Sequence, residues 1–139
     1  MATDTKWTIS GEWTGAMTDC ALWLNGRGVG ACYDGSNGNC GAVGSCAGLS
    51  NSTVAGMPAG YAQNERKFIE AQMDAFEKAA GWIWWCWKTE SAPEWDAQAL
   101  IAAGVFPQPL TDRQCKPRQL SRWSKIQANL SLLDPGQCA

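Results

Sequence analysis

The chain contains no histidine. That absence removes Ser-His-Asp and Cys-His catalysis, His-ligated zinc and haem held through His. Nor is there a basic excess: eleven Lys and Arg against thirteen Asp and Glu give a net charge of −2. The clustered basic face of a nucleic-acid binder is therefore not expected. No apolar run approaches the roughly 20 residues that span a bilayer. No CxxC pair occurs, so a zinc site would need thiolates gathered from scattered positions. The opening Met1-Ala2-Thr3-Asp4-Thr5-Lys6 has no apolar signal-peptide core. No metal and no cofactor is expected.

What the 139 residues do hold is 9 Trp, 7 Cys and 15 Gly, with 45% hydrophobic and 17% charged residues. So many aromatics exclude disorder, and the length fits one domain. The cysteines are Cys20, Cys32, Cys40, Cys46, Cys86, Cys115 and Cys138. Three of them lie in a Gly/Asn/Ser-rich loop, a setting typical of disulfides in exported proteins. The odd count leaves at least one thiol unpaired. Two sequons, Asn51-Ser52-Thr53 and Asn129-Leu130-Ser131, make Asn51 and Asn129 candidate glycosylation sites. An exported composition without an export signal leads us to expect that an N-terminal part is missing.

Lys6 to Ser10 reads as a short strand stopping at Gly11. A helix is expected from Thr14, with Met17, Cys20, Ala21 and Leu24 on one face and Asn25-Gly26 ending it. Residues 26–62 form a long glycine-rich loop, a length usually functional or stapled. Asn64 can cap a helix over 65–80 that aligns Phe68, Ile69, Met73, Phe76 and Ala80, with Gly81 as its stop. The apolar run 82–87 reads as a strand covered on both faces. Pro93 opens a further helix carrying Trp95, Ala99 and Leu100 and ending at Gly104. The order predicts an α/β protein with parallel strands. From Cys115 onward only a faint helical pattern, between Leu120 and Leu133, can be discerned.

Glu12 falls at the C-terminal end of the first strand, where parallel α/β folds gather catalytic residues. A carboxylate beside an aromatic suits glycoside chemistry, in which it attacks or stabilises an oxocarbenium-like carbon. An exposed loop Glu is the commoner fate of such a residue. Trp87 and Glu90 hold the matching end of the second strand; an indole there can carry a pyranose ring or simply fill core. Asp19, Asp34, Glu94 and Asp112 read as caps and solvated surface.

A collinear series of blocks goes further. Gly11-Glu12-Trp13-Thr14, Leu22-Trp23-Leu24-Asn25-Gly26, Tyr33-Asp34-Gly35 and Gly44-Ser45-Cys46 come first. Phe68-Ile69-Glu70-Ala71-Gln72, Gly81-Trp82-Ile83 and Trp87-Lys88-Thr89-Glu90 follow, then Ala92-Pro93-Glu94-Trp95 and Gly104-Val105-Phe106-Pro107-Gln108-Pro109. From residue 9 to Gln114 the succession resembles the C-terminal third of fungal exo-β-1,3-glucanases of glycoside hydrolase family 5.

The resemblance implies the last two βα units of a (β/α)₈ TIM barrel over residues 1–115, with a divergent tail over 116–139. It implies retaining release of glucose from the non-reducing end of β-1,3-glucan, in the extracellular space or cell wall. Glu12 takes the nucleophile position; Trp87 walls the sugar subsite, and Trp13 and Tyr33 are further candidate sugar contacts. Cys20 and Cys46 match family cysteines and are expected to pair. The acid/base Glu of the family, in an Asn-Glu-Pro motif, has no counterpart, since Asn64-Glu65-Arg66 is followed by no Pro and falls on a helix. Cys32, Cys86 and Cys115 also depart from the pattern. The other reading is a non-catalytic secreted protein that binds glucan or a partner. Two strands alone leave sheet edges through which copies can associate.

Overall fold

A computed structural model describes residues 5–115. The tail from 116, with Asn129 and Cys138, lies outside the described residues. The elements run β1 (Ile9–Trp13), α1 (Tyr61–Phe76), β2 (Gly81–Trp84) and α2 (Ala97–Ala102), with 3₁₀ turns at Val54–Gly56 and Pro93–Trp95. β1 and β2 pair in parallel, Ile9 opposite Gly81 and Trp13 opposite Trp84, with an irregularity between Ser10 and Trp13. This is a small α/β unit with a two-stranded parallel sheet.

Aromatic packing sets the core. Trp13 stands edge-on to Phe76, Trp82 and Trp84, at centroid distances of 5.4, 5.3 and 4.8 Å. Such T-shaped contacts place a positive ring edge against a negative ring face. Ile69 and Met73 from α1, Leu100 from α2, and Val105 and Phe106 beyond it complete the cluster. Ile69 and Met73 recur at helical spacing, which is why that face of α1 turns inward.

Several boundaries differ from the sequence reading. β1 does not stop at Gly11; it continues through Glu12 to Trp13, because Trp13 belongs to the core. α1 begins at Tyr61, after a left-handed Gly60, so Asn64 is an interior residue and not the cap. It ends at Phe76: the Ala80 N–H donates to Thr8 O, drawing the chain into sheet pairing, and Gly81 starts β2.

The helix expected over 14–25 is absent, replaced by turns. Its polar groups are claimed from elsewhere. The Thr14 hydroxyl donates to Glu94 O, Met17 N–H and the Thr18 hydroxyl donate to the Glu94 carboxylate, and Cys20 is bonded to Cys46. Tertiary contacts of this kind override propensity.

The run 82–87 is not covered on both faces. Only 81–84 is strand, and Ile83 and Trp85 are each 53% exposed. The helices cover one face of the sheet, and no layer among the described residues covers the other.

The helix expected from Pro93 is interrupted at Asp96, whose backbone is extended. Its Oδ1 accepts from Ala99 N–H at 2.9 Å and its Oδ2 from Thr89 N–H at 3.0 Å. Asp96 is thus the N-cap of α2 and a brace for the preceding loop. Asp96→Ala is expected to lower stability by about 1–2 kcal/mol, read as a shifted midpoint in urea unfolding with unchanged m-value.

Candidate functional site

The parallel register brings the carboxyl ends of both strands to one edge. Trp85 N–H donates to Trp13 O at 2.8 Å, extending the pairing beyond the strand itself. Glu12 lies near that end of β1, solvent-exposed, its carboxylate without a hydrogen bond or ion pair among the described residues. The segment after β2 is laced to the start of α2. Cys86 N–H donates to Trp95 O, Ala97 N–H to Cys86 O, and Gln98 N–H to Trp87 O at 2.9 Å. The Trp84 indole N–H adds bonds to Cys86 O and Trp95 O. Trp87 is therefore held by a fixed backbone while its indole stays 63% exposed.

The Trp13 ring is buried in the core. Tyr33 is half-buried in the loop that follows β1. Its N–H donates to Asp19 Oδ1, and its carbonyl accepts from Val43 and Gly44 N–H. Asn51 is exposed, its side-chain oxygen accepting from the Ser91 hydroxyl. Cys20 is bonded to Cys46 and Cys32 to Cys40. Cys115 is also disulfide-bonded, and Cys86 is a free thiol.

Behind the edge lies a buried acidic layer that the sequence reading did not find. Glu94, read as surface, is buried. Its Oε1 accepts from Met17 N–H and the Tyr61 hydroxyl, and its Oε2 from the Thr18 hydroxyl at 2.7 Å. One carboxylate thus ties together the loop after β1, the first turn of α1 and the turn before α2. Desolvation, together with Glu94, pushes the Tyr61 phenol well above its ordinary pKa.

Glu65 is fully buried, and neither of its carboxyl oxygens has a partner. Burial, and then the charge of Glu94, push its pKa up to about 9. A Cβ added at Gly15 would lie 2.8 Å from Glu65 Oε1 and 3.1 Å from the Trp84 ring, so a larger residue there would have to displace these side chains.

Asp19, also read as surface, is half-buried and organises the loop. It accepts from Cys32 N–H, Tyr33 N–H and the Asn25 amide, which hold its carboxyl below the usual range.

One signal could have been read earlier. Arg66, Ile69, Glu70 and Met73 share one face of α1, and all four are buried. A charged pair at i, i+4 inside an apolar stripe is a pattern of buried pairing.

Among the described residues, no group of three or more Cys, Asp or Glu is placed to hold a metal ion. Nor is any helix there long and apolar enough to cross a membrane.

An exposed carboxylate and an exposed indole at the carboxyl edge of a parallel sheet define an α/β protein of the class whose sites gather at strand ends. No family model matches the chain. It is 58% identical over 109 residues to the probable glucan 1,3-beta-glucosidase A of Emericella nidulans, covering 78% of this chain and 27% of that protein. It is 55% identical over 111 residues to the glucan 1,3-beta-glucosidase of Candida oleophila, covering 80% and 26%. The sporulation-specific glucan 1,3-beta-glucosidase of Saccharomyces cerevisiae is 50% identical over 112 residues, covering 78% and 25%. The chain is thus a relative of the glucan 1,3-beta-glucosidases and spans about a quarter of their length.

Proposed function

We propose that this chain is the nucleophile-bearing portion of a retaining glycoside hydrolase acting on β-1,3-glucan. Residues 1–115 contribute two βα units of a TIM barrel, and the sequence of 116–139 diverges from the family. The supporting observation is the parallel pairing of β1 and β2, with exposed Glu12 near the end of β1 and exposed Trp87 in the segment that leaves β2 in the same direction. Glu12 is the nucleophile: its carboxylate bonds the anomeric carbon as the glycosidic C–O bond breaks, and the leaving oxygen takes its proton from the acid/base carboxyl, whose Asn-Glu-Pro motif this sequence does not hold. Trp87 carries the apolar face of the sugar in the adjoining subsite, while Tyr33 borders the substrate from the loop after β1. Trp13 serves by packing behind Glu12. Its setting is the fungal cell wall or the space outside the cell, a reading supported by the disulfides, which persist in oxidising surroundings.

Retaining hydrolysis takes two carboxyl groups about 5–5.5 Å apart, and the sequence holds no Asn-Glu-Pro motif for the second. General acid/base catalysis contributes about 10²–10⁴-fold. The purified chain is therefore expected to release glucose from laminarin at least about 100-fold more slowly than the full-length relatives. Rates equal to theirs, lost in Glu12→Gln, would overturn this view of the isolated chain. A second reading, a non-catalytic binder of glucan or of copies of itself, is favoured by the open sheet face at Ile83 and Trp85. Size-exclusion chromatography with a glucan pull-down separates the two.

A further inference from the structure

Within residues 19–50, in the loop that follows β1, the Cys20–Cys46 disulfide borders a cavity of about 220 Å³. Clefts for drug-sized ligands run about 300–1,000 Å³, so this one suits a single ring. Trp23, Leu22 and Val29 supply its apolar wall, and Asn25, Asp34 and Ser50 its polar one.

Trp23 is 62% exposed and has a φ of +64°. A positive φ is an outlier for so bulky a residue. It persists only where the surroundings fix it, and such positions cluster at ligand sites. Here the fixing groups are explicit. The Cys20–Cys46 bond anchors one side, Gly26 N–H donates to Trp23 O at 2.9 Å, and Asn25 Nδ2 donates to Asp19 Oδ2 and Gly30 O.

Those bonds leave acceptors available. Asn25 uses only its amide nitrogen. Asp34 receives both Ser36 bonds on Oδ1, at 2.9 and 2.6 Å, and they hold its carboxyl below the usual range. Asp34 Oδ2 and Asn25 Oδ1 accept no hydrogen bond among the described residues. A rigid exposed indole beside two free acceptors matches a pyranose, which has an apolar C–H face for the ring and hydroxyls to donate.

We propose that this loop carries an accessory carbohydrate subsite, in which Trp23 stacks one sugar ring and Asp34 and Asn25 accept from its hydroxyls. The identity of that sugar as a unit of β-1,3-glucan rests on the function proposed above. The subsite lets a chain engaged at Trp87 be held at a second point, so the effective concentration of glucan at the edge rises.

The test titrates the full chain with laminaritetraose, cellotetraose and maltotetraose in a Trp87→Ala background, reading affinity by NMR shift perturbation. Laminaritetraose is expected to bind there, and Trp23→Ala or Asp34→Asn to weaken it at least about tenfold. Trp23→Phe should keep most of the affinity, which separates loss of stacking from loss of fold. Binding of a different tetraose, lost in Trp23→Ala, would keep the subsite and overturn glucan as its ligand. Absence of binding to all three, or unchanged affinity in Trp23→Ala, overturns the subsite itself.

Discussion

Glu65→Gln is expected to raise the melting temperature at pH 8 and to leave it nearly unchanged at pH 4. The carboxyl is fully buried and has no partner. Burial and the neighbouring Glu94 raise its pKa from 4.5 in the unfolded chain to about 9 in the fold. Above pH 4.5 the unfolded chain releases this proton while the folded chain keeps it. Wild-type stability therefore falls from about pH 4.5 to about pH 9 and then levels. Glutamine does not ionise, so the variant escapes that fall. The gain at pH 8 is on the order of a few kcal/mol, and each kcal/mol corresponds to roughly 3–6 °C in a chain of this size. Thermal melts of both proteins across pH 4–9 provide the measurement. A difference that does not vary with pH would show that Glu65 is ionised in the fold.

Arg66→Ala should produce the largest loss. The Arg66 guanidinium bonds Glu70 Oε1 at 2.6 Å, Gly104 O at 2.7 Å and Asp112 O at 2.6 Å. Glu70 in turn accepts from Gln114 N–H at 3.1 Å and Cys115 N–H at 2.6 Å. The buried pair thus fastens the segment after α2 onto α1. Removing one partner of such a pair costs about 3–5 kcal/mol, because the other charge stays buried without its counter-ion. Arg66→Met combined with Glu70→Leu should recover only part of that loss, since the Gln114 and Cys115 donors are orphaned. Guanidinium unfolding of the two variants and the wild type checks the order; an Arg66→Ala protein within about 1 kcal/mol of wild type would rule it out.

The parallel α/β order was legible because it rests on local patterns. The Ile69–Met73 stripe marks a helix and the Trp82–Trp84 run a strand, whatever surrounds them. The stretch 14–25 was misread for the opposite reason. Its conformation is imposed by Glu94, nearly eighty residues away in sequence, and by the bond to Cys46. Composition carries no trace of either. The buried acids were missed on similar grounds: a single Glu reads as surface until its donors are in place, and those of Glu94 come from Met17, Thr18 and Tyr61. The parallel pairing of the two strands followed from their order in the chain, whereas the assignment of Glu12 and Trp87 to a site rests on resemblance over many blocks.

The two environments of the tryptophans make the protein its own optical gauge. Trp13 is packed among rings and shielded from water, whereas Trp7, Trp23, Trp85 and Trp87 are all more than half exposed. The exposed indoles emit at longer wavelength and are reached by iodide, and the buried one by neither water nor quencher. Unfolding therefore shows in the blue part of the emission, and contact with a ligand in the red part, from one unlabelled sample.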